Sequence, residues 1–166
     1  MSKIVVFSDL HKVVDTIRYK NKSIVLVTGV FDLLHKAHIE FLRRAKAQGD
    51  FLFVGVESDE RVKQLKGPDR PCEPLPIRLA KLAKREETDY VFALPVRFNN
   101  PSEHEKLMAM IAPNVLAVSS HTPFKSSKKR LVEKFGGKME VVMEQDTSVS
   151  TTKLLGQGEK RRTLCK

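Results

Sequence analysis

Two histidines three residues apart are the first candidates for chemistry in this sequence. His35 and His38 follow an apolar run at residues 24–28 and enter a stretch with helical spacing. Residues three apart meet on one face of a helix, and the N-terminus of a helix attracts anions through its free N–H groups and its dipole. The pair therefore fits a triphosphate site, although histidines at this spacing also occur as packing or surface residues.

The elements that must position these histidines alternate along the chain. Buried strands are predicted at residues 24–28, 51–57, 90–94, 115–118 and 139–143. Helices are predicted at residues 8–19, 36–47, 59–65, 76–86, 101–111 and 127–135. Because the strands are apolar without alternation, the pattern indicates an α/β, Rossmann-like doubly wound parallel sheet of about five strands with helices on both faces. Such sheets bind ligands at the carboxyl ends of their strands.

Composition favours one globular domain with anionic partners. The chain has 166 residues, 41% of them hydrophobic, and a formal charge of +10. We predict a domain at residues 1–156 and a basic tail at 157–166. No recognition motif or basic–aromatic interleaving supports a nucleic-acid binder. Neither a long apolar run nor a secretory signal is visible, so the sequence predicts no membrane segment and a cytoplasmic location. The cysteines lack metal-site spacing, and we predict no protein-held metal.

Three segments resemble one enzyme family. Residues 29–38, G-V-F-D-L-L-H-K-A-H, resemble the G-x-F-D-x-x-H-x-G-H signature of the cytidylyltransferase-like nucleotidyltransferase superfamily, with Ala37 in place of the usual glycine. Residues 65–78, L-K-G-P-D-R-P-C-E-P-L-P-I-R, resemble the L-K-G-x-x-R-P-x-x-P-L-x-x-R stretch of the heptose-1-phosphate adenylyltransferase domain. Residues 148–153 resemble the segment that opens the last helix in the heptose enzymes and in glycerol-phosphate cytidylyltransferases. The resemblance covers essentially the whole chain.

The resemblance implies a reaction and a set of residues. A substrate phosphate would attack the α-phosphorus of a nucleoside triphosphate (NTP), and pyrophosphate would leave. The implied catalytic residues are His35, His38, Lys66 and Arg78. The implied nucleotide-binding residues are Thr28, Gly29, Val30, Phe31, His35, His38, Ser119, Ser150, Thr151 and Thr152. Surface charge or simple helix capping would also explain the Lys, Arg, Ser and Thr positions, and Phe31 fits a packing role. Mg²⁺ is implied with the triphosphate, and a homodimer is expected from relatives.

Departures from the family pattern leave several functions open. Residues 118–122 read V-S-S-H-T where relatives carry a Gly-Gly-Asp or Gly-Asp-Asp segment near the base, and Gln145 or Asp146 replaces an arginine. The stretch at 65–78 favours heptose-1-phosphate adenylyltransferase, using ATP, over glycerol-3-phosphate cytidylyltransferase, using CTP, and over a flavin-nucleotide synthetase. A catalytically weakened nucleotide-binding or regulatory protein is the alternative from another class, with Ala37, Gln145 and residues 119–121 as marks of decay.

Overall fold

The computed structural model describes residues 3–144, which form one five-stranded parallel sheet with helices on both faces. The strands are β1 (Ile24–Gly29), β2 (Phe51–Val56), β3 (Tyr90–Ala93), β4 (Val115–Ser119) and β5 (Lys138–Met143). The helices are α1 (Leu10–Tyr19), α2 (Lys36–Lys46), α3 (Asp59–Lys66), α4 (Leu75–Ala83), α5 (Pro101–Ile111) and α6 (Lys125–Lys134), and a 3-10 turn, Phe7–Asp9, precedes α1. The predicted fold class is confirmed.

Each face of the sheet packs against its own helices. Helix α1 contacts α5, and α5 contacts α6; with the sheet they enclose a core around Leu26, Phe53 and Phe92. On the opposite face α2 and α4 cover a second core around Val54 and Leu82. Because the strands are covered on both sides, their side chains are apolar in both directions, and this explains the uninterrupted apolar runs in the sequence.

Element boundaries differ from the sequence prediction by zero to three residues. The bounds of α5 match because Asn100 caps the helix, accepting from Ser102 N, and Pro101 opens it. Helix α4 ends at Ala83 instead of residue 86. The Thr88 hydroxyl lies 2.6 Å from Leu82 O and 3.1 Å from Arg85 O, so a side chain takes over the carbonyls at the helix end. Local periodicity does not reveal that contact.

The strand order β3-β2-β1-β4-β5 puts the topological switch between β1 and β4. Strands β1 and β2 pair over all six residues of β1, whereas β1 and β4 pair only at Val25–Val115 and Leu26–Leu116. The carboxyl-end halves of β1 and β4 therefore border a crevice, which is where open α/β sheets bind ligands. Within residues 3–144, no helix combines the length and apolar character needed to cross a bilayer.

Candidate active site

A pocket of about 570 Å³ lies at the carboxyl ends of β1 and β4. The predicted site residues that line it are Thr28, Gly29, Val30, Phe31, His35, His38, Lys66 and Ser119. They come from the end of β1, the start of α2, the end of α3 and the end of β4. Ser150, Thr151 and Thr152, together with Gln145, Asp146 and the predicted boundary at residue 156, lie outside the described residues.

His35 and His38 form a stacked pair at the start of α2. Their ring centroids are 3.8 Å apart with 26° between the ring planes, and the Phe31 ring meets His38 edge-on at 5.6 Å. His35 is the N-cap residue, yet its side chain makes no capping hydrogen bond. The first N–H groups of a helix have no partner within the helix, so these groups of α2 can bind an anion beside the imidazoles.

Both imidazoles favour the neutral form. The pKa of His38 is lowered to about 3, chiefly by burial and further by the nearby His35 and Lys66. Burial, followed by the charge of Lys66, also lowers the pKa of His35. At neutral pH His38 is therefore a neutral hydrogen-bonding group instead of a cation. Within residues 3–144, Nδ1 of both rings is buried without a hydrogen-bond partner.

The lowered pKa of His38 predicts acid-sensitive folding. An unfolded histidine, with its ordinary pKa of 6.5, takes up a proton that the folded protein resists until about pH 3. Stability is therefore full above the unfolded pKa and falls as the pH drops from 6.5 toward 3. Between pH 7.5 and 5, the wild type should lose about 2 kcal/mol more unfolding free energy than His38→Gln. Urea denaturation at both pH values measures this difference, and equal losses would contradict the shift.

Lys66 brings a cation to the histidines. It is the last residue of α3, and Gly67, at φ 100°, lets the chain leave the helix in a conformation that other residues rarely adopt. Although much of the Lys66 side chain is exposed, it lines the pocket. Partial desolvation lowers the pKa of Lys66, and Arg70 lowers it further against the opposing effect of Asp32. The residue is therefore placed to meet a phosphate.

Lys66→Met should weaken NTP binding about 10-fold, the scale of losing one charge-assisted hydrogen bond. Melting temperature should stay within a few degrees, since the side chain is largely exposed. Lys63→Met is the matched control, because Lys63 is an exposed lysine of the same helix that does not line the pocket. Calorimetric titration with NTP compares the two variants. Equal affinity in both would remove Lys66 from the site.

Asp32 joins the histidine loop to the segment that follows α3. Its buried carboxylate accepts from Arg70 Nε at 2.8 Å and from the backbone N–H groups of Cys72 and Glu73 at 3.0 Å. Both backbone donors lie about 40 residues further along the chain. This link fixes Lys66, the last residue of α3, relative to the histidine pair.

Arg78 lies outside the pocket, and its predicted contact with the reacting phosphates needs correction. The residue is fully buried. Its guanidinium donates to the carbonyls of Val30, Glu57 and Glu73 at 2.6–3.0 Å and to Asp59 Oδ1 at 2.6 Å. Almost all of its N–H groups are thus occupied within the protein. Arg78 ties the ends of β1 and β2 to the start of α4 and acts on the pocket only through that framework.

The turn after β1 has an unusual backbone. Phe31 and Leu33 both have φ of 51°, in the left-handed region that residues other than glycine seldom adopt. A Cβ added to Gly29 would lie 2.9 Å from the Phe31 ring, closer than side chains normally approach. Gly29 is therefore needed for packing against Phe31, in addition to lining the pocket. Phe31 itself is 5% exposed and packs against His38, as predicted.

Sequence reasoning missed a second wall of the pocket. Phe98, His104 and Lys128 line the side formed by α5, α6 and the loop after β3. Phe98 and His104 follow β3, and Lys128 follows β4, so the carboxyl-end rule could have singled them out. No sequence motif includes these three residues, because they are isolated positions in different elements.

The departures noted in the sequence also lie at the pocket. Ala37 lines it beside the histidines, and Ser119, His121 and Thr122 line it from the β4–α6 connection. Ser120 Oγ and His121 Nδ1 are 3.0 Å apart. The substitutions therefore fall where they change the ligand-facing surface.

Comparisons with known proteins agree with this geometry. The family model described as cytidylyltransferase-like matches residues 26–156. A "Bifunctional protein HldE" from Pectobacterium carotovorum is 35% identical over 147 residues, which are 88% of this chain and 30% of that protein. An HldE from Nitratiruptor is 43% identical over 108 residues, 65% of this chain and 21% of its own. The chain thus spans less than a third of the length of these relatives.

Solved structures repeat the fold. A lipopolysaccharide core biosynthesis protein from Thermoplasma volcanium has a TM-score of 0.60 at 24% identity, covering 75% of this chain and 98% of its own. A pantoate-beta-alanine ligase from Francisella tularensis has a TM-score of 0.58 at 15% identity, covering 91% and 75%. Identity this low supports the fold alone. The family model, which covers most of the sequence, goes further: the chain belongs to the cytidylyltransferase-like family of nucleotidyltransferases.

Proposed function

We propose that this nucleotidyltransferase moves a nucleoside monophosphate from an NTP to a sugar phosphate or polyol phosphate and releases pyrophosphate. The observation that carries the proposal is the convergence of His35, His38 and Lys66 at the N-terminus of α2, inside the pocket at the switch point. Two neutral imidazoles, one ammonium and the free N–H groups of a helix suit the β- and γ-phosphates of the donor.

The chemistry needs positioning more than a covalent group from the protein. An acceptor phosphate oxygen attacks the α-phosphorus, a new P–O bond forms, and the bond from the α-phosphorus to the bridging oxygen of pyrophosphate breaks. Negative charge then builds on the departing pyrophosphate. Fixed donors at that position lower the barrier because they need no reorganisation during the step. His38, which stays neutral, contributes a hydrogen bond, while Lys66 contributes charge.

An adenylyltransferase for a heptose-1-phosphate type of acceptor is the preferred form. The HldE relatives are bifunctional proteins, and this chain matches less than a third of their length. The stretch at 65–78, which resembles the heptose enzymes, supplies Lys66 to the pocket and Arg70 to the Asp32 link. ATP is therefore the first donor to test, before CTP, and the flavin phosphates rank last among acceptors.

A nucleotide-binding protein with weakened turnover is the second candidate. The changes at Ala37 and at Ser119, His121 and Thr122 favour it, because all four residues line the pocket.

Mg²⁺ would bind as part of the Mg–NTP substrate. Within residues 3–144, no group of three His, Cys, Asp or Glu residues is arranged to hold a metal ion. A homodimer and a cytoplasmic location stay predictions.

The proposal is tested by pyrophosphate release with Mg²⁺ and ATP, CTP, GTP or UTP against heptose 1-phosphate, glycerol 3-phosphate and flavin mononucleotide. We expect release that needs one acceptor and prefers ATP. Tight NTP binding with no release from any pair would favour the binding protein. Release that depends on glycerol 3-phosphate and CTP would move the assignment to the cytidylyltransferase.

A further inference from the structure

The pocket has a second charged group opposite the histidine pair. The His104 and Phe98 rings pack at a tilt with centroids 4.0 Å apart, and Lys128 Nζ donates to Thr122 Oγ1 at 2.8 Å. Phe98, His104 and Lys128, here termed the acceptor wall, all line the pocket. Glu57, the residue after β2, has one carboxylate oxygen buried and unpaired among the described residues.

The charged groups near the acceptor wall shift one another's pKa values. The pKa of Lys128 is lowered by burial and raised again by Glu57, and the pKa of Glu57 is raised by burial against the effects of Arg61, Lys128 and Arg78. The pKa of His104 is lowered by burial and by Lys128 and Arg61. The pKa of His35 is lowered by burial and by Lys66, and the pKa of His38 is lowered by burial, His35 and Lys66 against the effect of Asp32. The pocket therefore has two polar ends.

An NTP held by its phosphates at α2, with its base near residues 118–122 as the family resemblance implies, leaves the acceptor wall for another molecule. We propose that the acceptor wall binds the hydroxylated part of the acceptor, with Lys128 as the residue that determines its specificity. This inference rests on the proposed function, since it assigns the second substrate to the same pocket. Lys128 donates to the Thr122 hydroxyl, and the charge of Glu57 raises the pKa of Lys128 against the larger effect of burial.

The chemistry of the acceptor wall points to a sugar or polyol phosphate. An ammonium donates to hydroxyl oxygens, and an imidazole both donates and accepts, so Lys128 and His104 can bind neighbouring hydroxyl groups. The His104 ring, packed at a tilt against Phe98, gives a small apolar surface for C–H groups.

The test is calorimetric binding of heptose 1-phosphate, glycerol 3-phosphate and inorganic phosphate to the full chain, in the presence of a non-hydrolysable ATP analogue. Lys128→Met should weaken sugar-phosphate binding at least ~10-fold, as expected when a hydrogen bond to a charged group is lost. Its affinity for the ATP analogue and for inorganic phosphate should stay within about twofold, because the lost contact is to hydroxyl groups. His104→Leu should act in the same direction.

Lys129→Met is the matched control, because Lys129 is an exposed neighbour on α6 that does not line the pocket. The proposal is overturned if Lys128→Met binds the sugar phosphates as well as the wild type does. It is equally overturned if the wild type binds none of them, or if affinity for ATP and inorganic phosphate falls by the same factor. If the wild type binds sugar phosphates in a Lys128-dependent way but releases no pyrophosphate, the proposed function is contradicted and the role of the acceptor wall is supported.

Discussion

Replacing His38 with alanine is expected to lower the rate of nucleotidyl transfer by at least ~100-fold, the scale for one preorganised electrostatic group. The imidazole lies in the first turn of α2, stacked on His35 and held edge-on by Phe31. Its place in the helix and two ring contacts thus fix its orientation before the substrate binds. A group held in this way stabilises developing charge without reorganising, so its loss should reduce kcat more than it raises KM.

The neutral state of His38 sharpens this prediction. A neutral imidazole acts as a hydrogen-bond donor, which glutamine can partly replace and alanine cannot. His38→Gln should therefore retain more activity than His38→Ala. Between pH 6 and 8, the rate should show no titration belonging to His38, whose pKa is about 3. Steady-state kinetics of folded variants, with exposed His11→Ala as the control, measures both effects. Near-normal turnover in His38→Ala would remove the residue from the mechanism.

Arg78→Met is expected to reduce the free energy of unfolding by about 3–5 kcal/mol, because it leaves buried hydrogen-bond partners unpaired. The guanidinium serves three backbone carbonyls and the Asp59 carboxylate, and the arginine side chain is fully buried. Methionine preserves much of the volume but none of the donors. The loss should therefore appear as destabilisation, measured by urea denaturation at pH 7.5.

Lys84→Met is the control for Arg78, since Lys84 is an exposed cation at the end of the same helix. Its stability should change by less than about 0.5 kcal/mol. The opposite pattern would restore the role that the sequence predicted for Arg78: an Arg78→Met variant of normal stability that no longer transfers nucleotide. Lys66→Met provides the contrast, because it should weaken NTP binding without destabilising the fold.

Regular patterns predicted the framework well. All five strands were placed to within about a residue at each end, because strands buried on both faces leave continuous apolar runs. The spacing of His35 and His38 predicted that both side chains lie on one face of a helix, and their rings are stacked. Secondary structure and the direction of a side chain within a helix depend on residues one to four positions away, so the local sequence predicts both.

Long-range partners were beyond the sequence. A motif placed Arg78 among the cations of the site, but only the fold shows that Val30, Glu57 and Glu73 occupy its donors. The same holds for Asp32, whose donors come from residues 70–73. The sequence did not predict Lys128 as a pocket residue. Its partner Thr122 lies between β4 and α6, whereas Glu57, whose charge affects it, lies between β2 and α3. Burial and pairing of charges depend on contacts that sequence spacing does not encode.

Transfer of the nucleoside monophosphate, which carries the α-phosphorus of the NTP, to a sugar phosphate is tested most directly by labelling that phosphorus. The full chain is incubated with Mg²⁺, ATP labelled at the α-phosphorus and heptose 1-phosphate, and the products are separated. The account predicts label in an ADP-sugar, with one pyrophosphate formed for each ADP-sugar, and loss of both products in His38→Ala. Label that stays in ATP, or appears as AMP regardless of acceptor, would contradict it.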